Sequence, residues 1–238
     1  MHHVELGCRD LERSTAFYRD LLGFAESPAP DGRCLRSGDM LIRLIQAGPR
    51  ATDGGWVNDD RQRGLRHFGM KVRDIDTRIE RLRAAGVRVL SPPADVLGGV
   101  RIAFFLDPDG ARLEFIQGTL EYQQVSAPDL AEAEAAADAT APDGPRFDHV
   151  AVTVTNLAGA LRFWRNARGY RVIGAIRHHD DRRGFLMTYL RAGPAVLEVF
   201  SFDVPTYAGP APAEPGTRLG FHDVRDREGA TLLYGGAR

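Results

Sequence analysis

The sequence predicts an α+β fold built from repeated β-α-β-β-β units, and three observations support this prediction. A histidine stands seven residues before an Asp or Asn three times, as His3 and Asp10, His67 and Asp74, and His149 and Asn156. Each of these stretches alternates apolar and polar residues and then changes to a helical period that ends at a glycine. Strand-like runs separated by turns follow each predicted helix. Such repeats indicate a fold assembled from similar units.

The first unit shows how each element is predicted. In HVELGC, His3 and Glu5 alternate with apolar residues, which indicates a strand with the histidine on one face. Asp10 is a plausible helix N-cap. Gly23 stands where a left-handed C-cap belongs. The second and third units repeat this order and end their helices at Gly86 and Gly169.

The later strands and the linker follow from turn signals and composition. The expected strands are 34–36, 40–46, 87–90, 101–106, 112–116, 171–176, 185–191 and 195–202. Residues 121–146 are rich in Ala, Pro and acidic residues, which predicts a linker with a short helix at about 128–137. A fainter fourth copy begins at about Gly216 and lacks the later strands. Leu219 holds its histidine position.

Composition excludes some function classes. The formal net charge of −1 gives no general attraction to nucleic acid or to an anionic membrane. No stretch is apolar and long enough to span a bilayer, and the N-terminus lacks the apolar run of a signal peptide. Cys8 and Cys34 do not form a disulfide framework. We expect reduced thiols in a cytoplasmic protein that binds a small molecule, without a nucleic-acid or membrane partner.

The repeats, the segment FYRDLLGF and the phrase FLDPDGARLEF at 105–115 carry a resemblance. The chain resembles the vicinal oxygen chelate superfamily, which includes glyoxalase I, extradiol dioxygenases, fosfomycin-resistance enzymes and bleomycin-resistance proteins. The resemblance implies paired βαβββ modules that form curved, partly open mixed β-sheets with helices outside. It also implies two tandem domains: residues 1–120 with two modules and a metal site, and, after the 121–146 linker, residues 147–238 with an incomplete fourth module.

The resemblance also implies a ligand set. Metal ligands in this family come from the first and last strands of each unit, which gives His3, His67 and Glu114 in the first domain. Arg43 holds the fourth position and cannot bind a cation. Two imidazoles and one carboxylate suit a divalent ion, with Fe(II) favoured and Mn(II), Zn(II), Ni(II) or Co(II) as alternatives. His149 and Glu198 hold the same positions in the third unit, where we expect them to be structural remnants or a half-site completed by another subunit.

The catalytic candidates are Glu5, Lys71 and Arg43. Glu5 and Lys71 share the strand face of the predicted histidine ligands. Arg43 has two interpretations: an ion pair with an acid such as Glu5, or a group in the cleft that binds an anionic substrate or holds a carboxylate.

Three functions stay open. The first is a metal-dependent enzyme that chelates vicinal oxygens of a small substrate, with extradiol dioxygenase-like chemistry favoured over a glyoxalase-like lyase or isomerase because Arg43 breaks the four-ligand set. Phe104 at a Tyr position and the lack of His in 94–100 weaken the dioxygenase interpretation. The second is a non-catalytic binding protein of the bleomycin-resistance type. The third gives the second domain a structural role, either covering the first domain's cleft or forming a homodimer.

Overall fold

The computed structural model describes residues 1–28, 33–140 and 144–234. Within these residues the strands form two mixed sheets, one with five strands and one with nine. The strands are β1 (His3–Cys8), β2 (Ala25–Ser27), β3 (Arg33–Ser37), β4 (Met40–Gln46), β5 (Gly64–Lys71), β6 (Ala94–Val96), β7 (Val100–Leu106), β8 (Arg112–Gln117), β9 (Gln124–Val125), β10 (Arg146–Thr153), β11 (Arg171–Arg177), β12 (Leu186–Ala192), β13 (Ala195–Ser201) and β14 (Gly220–Arg225).

The helices follow the first strand of each unit, and one further helix lies in the predicted linker. They are α1 (Leu11–Ala16), continued by a π-helical turn (Phe17–Leu21), α2 (Ile75–Ala84), α3 (Pro128–Thr140) and α4 (Leu157–Arg168). The side chains of Asp10, Asp74 and Asn156 accept hydrogen bonds from backbone N–H groups in the first turns of α1, α2 and α4. Gly169 takes the left-handed conformation at the end of α4, with φ of 67°. The predicted N-caps are therefore confirmed, as is this C-cap.

The three complete units share one topology. In each unit the first strand pairs in parallel with the last strand, β1 with β4, β5 with β8, and β10 with β13. The strand before the last pairs antiparallel with the last strand, and the strand before that pairs antiparallel with it in turn. The predicted α+β fold of β-α-β-β-β units in tandem is thus confirmed.

The pairing between units differs from the pairing expected from the sequence. Strand β5 of unit two pairs antiparallel with β10 of unit three, which joins these two units into the nine-stranded sheet. Strand β1 of unit one pairs antiparallel with β14 of the fourth copy. Units one and two, which the sequence grouped in one domain, therefore contribute their first strands to different sheets. The division at 1–120, 121–146 and 147–238 stays a prediction.

Some local boundaries also differ. Residues 87–90 were expected to form a strand, but the segment forms an isolated bridge between Val89 and Phe105. This bridge consists of hydrogen bonds from Leu90 N–H to the backbone oxygen of Phe104 and from Leu106 N–H to that of Arg88. The edge strand β6 instead begins two residues after Pro92, beyond the prolines that cannot donate to a ladder. Helix α3 covers and extends the expected 128–137 segment. Residues 141–143 of the linker and 235–238 of the fourth copy lie outside the described residues.

The helices pack their apolar sides against the sheets. Tyr18 and Trp164 are fully buried. The indole Nε1 of Trp164 donates a hydrogen bond to the backbone oxygen of Leu232 at 2.9 Å, so the segment after β14 packs against the helix of unit three. In the described part of the chain, we find no helix with the length and hydropathy needed to span a membrane. Cys8 and Cys34 are free thiols, and burial raises the pKa of each.

Candidate metal centre

Four side chains of the types that bind metal ions converge in the nine-stranded sheet: His67, Glu114, His149 and Glu198. One donor atom of each lies within 4.8 Å of the others. The Nε2 atoms of the two histidines are 3.1 Å apart. The Oε2 atom of Glu114 is 3.0 Å from both Nε2 atoms. The Oε2 atom of Glu198 is 3.5 Å from both.

The strand register explains this convergence. Strands β5 and β10 run antiparallel, with His67 opposite Ala151 and His149 opposite Gly69. Small residues opposite both histidines leave space for the rings. A Cβ atom at position 69 would lie 2.1 Å from Cε1 of His149. Glu114 is the parallel neighbour of Gly69 on β8, and Glu198 is the parallel neighbour of Ala151 on β13. Units two and three thus supply equivalent halves of one site.

All four side chains are buried, so their charges depend on one another. The side chains of His67 and Glu114 are 2% and 6% exposed, and those of His149 and Glu198 are 5% and 9% exposed. Burial acts to raise the pKa of Glu114, but hydrogen bonds with both histidines outweigh it and hold this pKa below its usual range. Burial acts to lower the pKa of His149, but Glu198, Asp148 and Glu114 outweigh it and raise this pKa.

The environment also selects the donor atom of each imidazole. Nδ1 of His149 is 2.9 Å from the Oδ2 atom of Asp148. A proton shared in this contact leaves the lone pair on Nε2, the atom that faces the cluster. Such a carboxylate contact is typical of histidines that bind metals. The Nδ1 atom of His67 is buried and has no hydrogen-bond partner in the structure. The orientation of His149 is therefore more strongly held than that of His67.

These residues fit a divalent metal ion. Ligands around a metal at about 2.1 Å are separated by roughly 3.0 to 3.4 Å when they are adjacent in octahedral or tetrahedral geometry. The distances of 3.0 to 3.5 Å between the imidazole and carboxylate atoms agree with this spacing. Imidazole and carboxylate donors suit first-row divalent ions in general, so this donor set does not favour Fe(II) over the other ions.

The structure brings together two of the three ligands expected from the sequence. His67 and Glu114 belong to the cluster, whereas His3 lies on β1 in the other sheet. Nε2 of His3 is 3.7 Å from the carboxylate of Glu5. Nη1 of Arg43 donates to the same carboxylate at 3.0 Å, which confirms the ion-pair interpretation of Arg43. Glu5 also pairs with Arg225 at 2.8 Å. The catalytic candidates Glu5 and Arg43 are therefore occupied with each other, away from this cluster.

Lys71, the remaining catalytic candidate, lines the same cleft as the cluster. Its ammonium group is 3.0 Å from the carboxylate of Asp138 in α3. It also donates to the backbone oxygen of Gly118 at 2.6 Å. The ammonium group of Lys71 thus contacts the linker helix α3 and the segment that directly follows β8.

The sequence contains a signal for His149 and Glu198, the two members of the cluster that were expected to be structural remnants. His149 opens the third H-x6-D/N repeat, and Glu198 holds the last-strand position of the same unit. From the sequence both are expected to be remnants, because unit three is grouped there with the fourth copy, in which Leu219 takes the histidine position and the last strand is missing. The strand order shows that unit two pairs with unit three.

A small cleft surrounds the cluster. Its volume is about 160 Å³. Most of its wall is apolar, formed by residues such as Phe104, Phe185 and Phe200. Asp60, Arg112 and Tyr189 add polar groups. An enclosed apolar wall with a few polar groups is typical of a small-molecule site.

Comparisons with known proteins agree with this architecture. Residues 1–115 match the model of the Glyoxalase/Bleomycin resistance protein/Dioxygenase superfamily. A putative lactoylglutathione lyase of Brassica oleracea var. gemmifera is 30% identical over 221 residues, covering 86% of this chain and 68% of the relative. Lactoylglutathione lyase GLX1 of Arabidopsis thaliana is 26% identical over 222 residues, with the same coverage of both chains.

A solved structure shows the same fold. The crystal structure of glyoxalase I from Zea mays superposes with a TM-score of 0.63 at 22% identity, covering 86% of this chain and 68% of the other.

The expectation of extradiol dioxygenase-like chemistry has no support in these comparisons. Together with the β-α-β-β-β units, they show that the chain belongs to the Glyoxalase/Bleomycin resistance protein/Dioxygenase superfamily.

Proposed function

We propose that the protein is a metal-dependent, glyoxalase-type isomerase that converts the adduct of a 2-oxoaldehyde and a thiol into a hydroxyacyl thioester. The observation that carries this proposal is the cluster of two imidazoles and two carboxylates formed by units two and three. The sequence argument against a glyoxalase was a broken fourth ligand position at Arg43. With unit three as the partner of unit two, Glu198 supplies a carboxylate at that position.

The reaction moves the C–H proton from the carbon that carries the hydroxyl group to the neighbouring carbonyl carbon. The hydroxyl proton passes to the former carbonyl oxygen, so the first carbon becomes the carbonyl carbon of the thioester. A bound divalent ion would act as a Lewis acid that stabilises negative charge on the two adjacent oxygens. His67 and His149 would bind the ion as neutral donors. Glu114 would be the carboxylate ligand, because its Oε2 atom lies closer to the two imidazole nitrogens than that of Glu198 does. The mostly apolar wall of the cleft lowers the local polarity around these groups.

Glu198 is the carboxylate that we assign to proton transfer. Its Oε2 atom lies 3.5 Å from both imidazole nitrogens, compared with 3.0 Å for Glu114, so it is the less tightly held of the two acids. Tyr189 is its antiparallel strand partner and lines the same cleft. A carboxylate next to the reacting carbons can accept the proton and return it to the neighbouring carbon.

The names of several relatives support this class of chemistry. Proteins of Brassica and Arabidopsis that match most of this chain are named lactoylglutathione lyases. The same fold also serves proteins named dioxygenases and resistance proteins, so fold alone does not select the reaction. The second carboxylate of the cluster is the feature that favours isomerisation over oxygen chemistry, because Glu198 adds a group that can carry a proton beside the three proposed metal ligands.

Thioester formation tests the proposal. Purified protein would be loaded anaerobically with Ni(II), Co(II), Mn(II), Zn(II) or Fe(II) and supplied with methylglyoxal and glutathione. Parallel samples would receive cysteine as the thiol, or catechol with an oxygen electrode. We expect thioester from at least one loaded form and no oxygen uptake. Thioester absent with both thiols and every metal, or catechol-dependent oxygen uptake, would contradict the proposal.

Two variants separate catalysis from folding. Glu198→Gln should lower the thioester rate by about a hundredfold or more, because it removes the proposed base. His3→Ala, in the other sheet, should retain the wild-type rate. Circular dichroism would establish that both variants are folded. Equal activity of Glu198→Gln and the wild type would overturn the role assigned to Glu198.

A further inference from the structure

A buried arginine shares the cleft with the proposed metal ligands. Arg112 lies two residues before Glu114 on β8, and alternate residues of a strand face the same side. Its guanidinium carbon is 3.7 Å from the centre of the Phe104 ring. The same ring packs edge-on against His67, with the ring centres 5.2 Å apart. The guanidinium is therefore separated from a proposed metal ligand by one aromatic ring.

The charges at this end of the cleft are not balanced. Nη1 of Arg112 is 2.8 Å from the carboxylate of Asp60. Arg66, whose side chain is 0% exposed, has the same carboxylate at 4.0 Å. The other hydrogen bonds of Arg66 go to the neutral oxygens of Gln62 and Val57. Among the described residues, Asp60 is the only carboxylate within 4.0 Å of either guanidinium group, so two buried positive charges share one contacting carboxylate.

The remaining hydrogen-bonding capacity agrees with this charge count. The Nε atoms of both Arg66 and Arg112 are buried and have no hydrogen-bond partner. Burial lowers the pKa of Arg66 to about 10, which still leaves this guanidinium charged at neutral pH. Lys71 in the same cleft differs, because its ammonium group is already paired with Asp138 at 3.0 Å. An anionic ligand would therefore be favoured near Arg112 rather than near Lys71.

We propose that Arg112 forms an anion subsite and that the substrate carries a carboxylate next to its vicinal oxygens. The inference rests on the proposed function, because it assumes that the vicinal oxygens lie at the metal centre. A single substrate carboxylate would give this pair of guanidinium groups a second contacting negative charge beside Asp60. Its two oxygens match the planar donor geometry of a guanidinium, and its size suits a cleft of about 160 Å³.

Two hydroxamates test this subsite by binding rather than by turnover. Acetohydroxamic acid presents two vicinal oxygens alone, and succinomonohydroxamic acid presents the same pair with an added carboxylate. Their dissociation constants would be measured by calorimetry on the Ni(II)-loaded protein. We expect the carboxylate probe to bind the wild type about tenfold more tightly, because a buried guanidinium pairs with it.

Variants assign the preference to this arginine. Arg112→Met should remove the preference for the carboxylate probe and leave binding of acetohydroxamic acid nearly unchanged. Asp60→Asn removes the competing carboxylate and should increase the preference, which provides a test if Arg112→Met does not fold. Arg168→Met is the matched control: it breaks another arginine–aspartate pair, with Asp226 at 3.0 Å, and Arg168 does not line the cleft. It should keep the wild-type preference.

The outcomes distinguish this inference from the proposed function. Equal binding of the two probes to the wild type, or a preference that survives Arg112→Met, would overturn the anion subsite while leaving the metal centre supported. A decreased preference in Asp60→Asn would also overturn it. Binding of neither probe to the metal-loaded protein would contradict both the subsite and the chelation of vicinal oxygens.

Discussion

The Nε2 atoms of His67 and His149 lie 3.1 Å apart, although the two residues are separated by 82 positions in the chain. Their strands are hydrogen-bonded neighbours, and each ring lies above a small residue of the other strand. Glu114 and Glu198 approach both rings from the adjacent parallel strands. This contact between units two and three defines the proposed metal centre.

The close approach of the His149 ring to Gly69 gives a first prediction. A Cβ atom at position 69 would lie 2.1 Å from Cε1 of His149 and 2.6 Å from both of its ring nitrogens. Gly69→Ala must therefore displace the ring. We expect metal affinity to fall by at least about tenfold although every ligand is still present, as measured by equilibrium dialysis.

Gly144 offers the matched control, because a Cβ atom there would have no neighbour within 4 Å. Gly144→Ala should bind metal like the wild type. Wild-type affinity in folded Gly69→Ala would show that the ring position of His149 is unimportant for metal binding.

The contact between Asp148 and His149 gives a second prediction. The Oδ2 atom of Asp148 is 2.9 Å from Nδ1 of His149 and orients the ring so that Nε2 faces the cluster. Asp148→Asn should weaken metal binding by about 10- to 100-fold, the usual effect of losing such a partner. Competition with a chromophoric chelator would measure this change.

Asp223→Asn serves as its control, since Asp223 lies on β14 in the five-stranded sheet. Its metal affinity should equal that of the wild type. If the two asparagine variants bind metal equally well, the orienting role of Asp148 is refuted.

The ion cluster of the other sheet predicts a pH-dependent stability. The contact with His3, followed by the one with Arg225, outweighs burial and lowers the pKa of Glu5 to about 2. The ordinary value is 4.5, so the folded state favours the ionised carboxylate. This contribution to the free energy of unfolding is complete above about pH 4.5 and disappears as the pH falls through about 2.

Glu5→Gln should therefore be less stable than the wild type by about 1 to 2 kcal/mol at neutral pH, because the partly exposed arginines screen the interaction. The difference between the two proteins should shrink as the pH is lowered from about 5 to 2. Urea unfolding at a series of pH values measures this difference. A difference that is constant over that range would rule out the assigned role of Glu5.

The local structure of each unit could be predicted from the sequence, because its signals lie close together in the chain. Asp74 caps the helix that begins at the next residue, and Gly169 ends its helix in the left-handed conformation. The proximity of His67 and Glu114 could also be predicted, because they belong to one unit, whose first and last strands are neighbours. These relationships need no knowledge of how the units pair.

The partner of unit two could not be predicted in this way. The first strands of units one and three both contain a histidine followed by apolar residues at the same spacing. Either could pair with β5, and the choice decides whether His3 or His149 meets His67. The pairing of β1 with β14 of the degenerate fourth copy removes His3 from that choice. Such long-range pairing has no local sequence signal.

Metal stoichiometry in two histidine variants tests the proposed metal centre most directly. The wild type, His149→Ala and His3→Ala would be dialysed against Ni(II) or Zn(II), and the bound metal would be measured by mass spectrometry. The proposal predicts about one ion per chain in the wild type and in His3→Ala, and a large loss in His149→Ala. Loss of metal in His3→Ala with full retention in His149→Ala would contradict it.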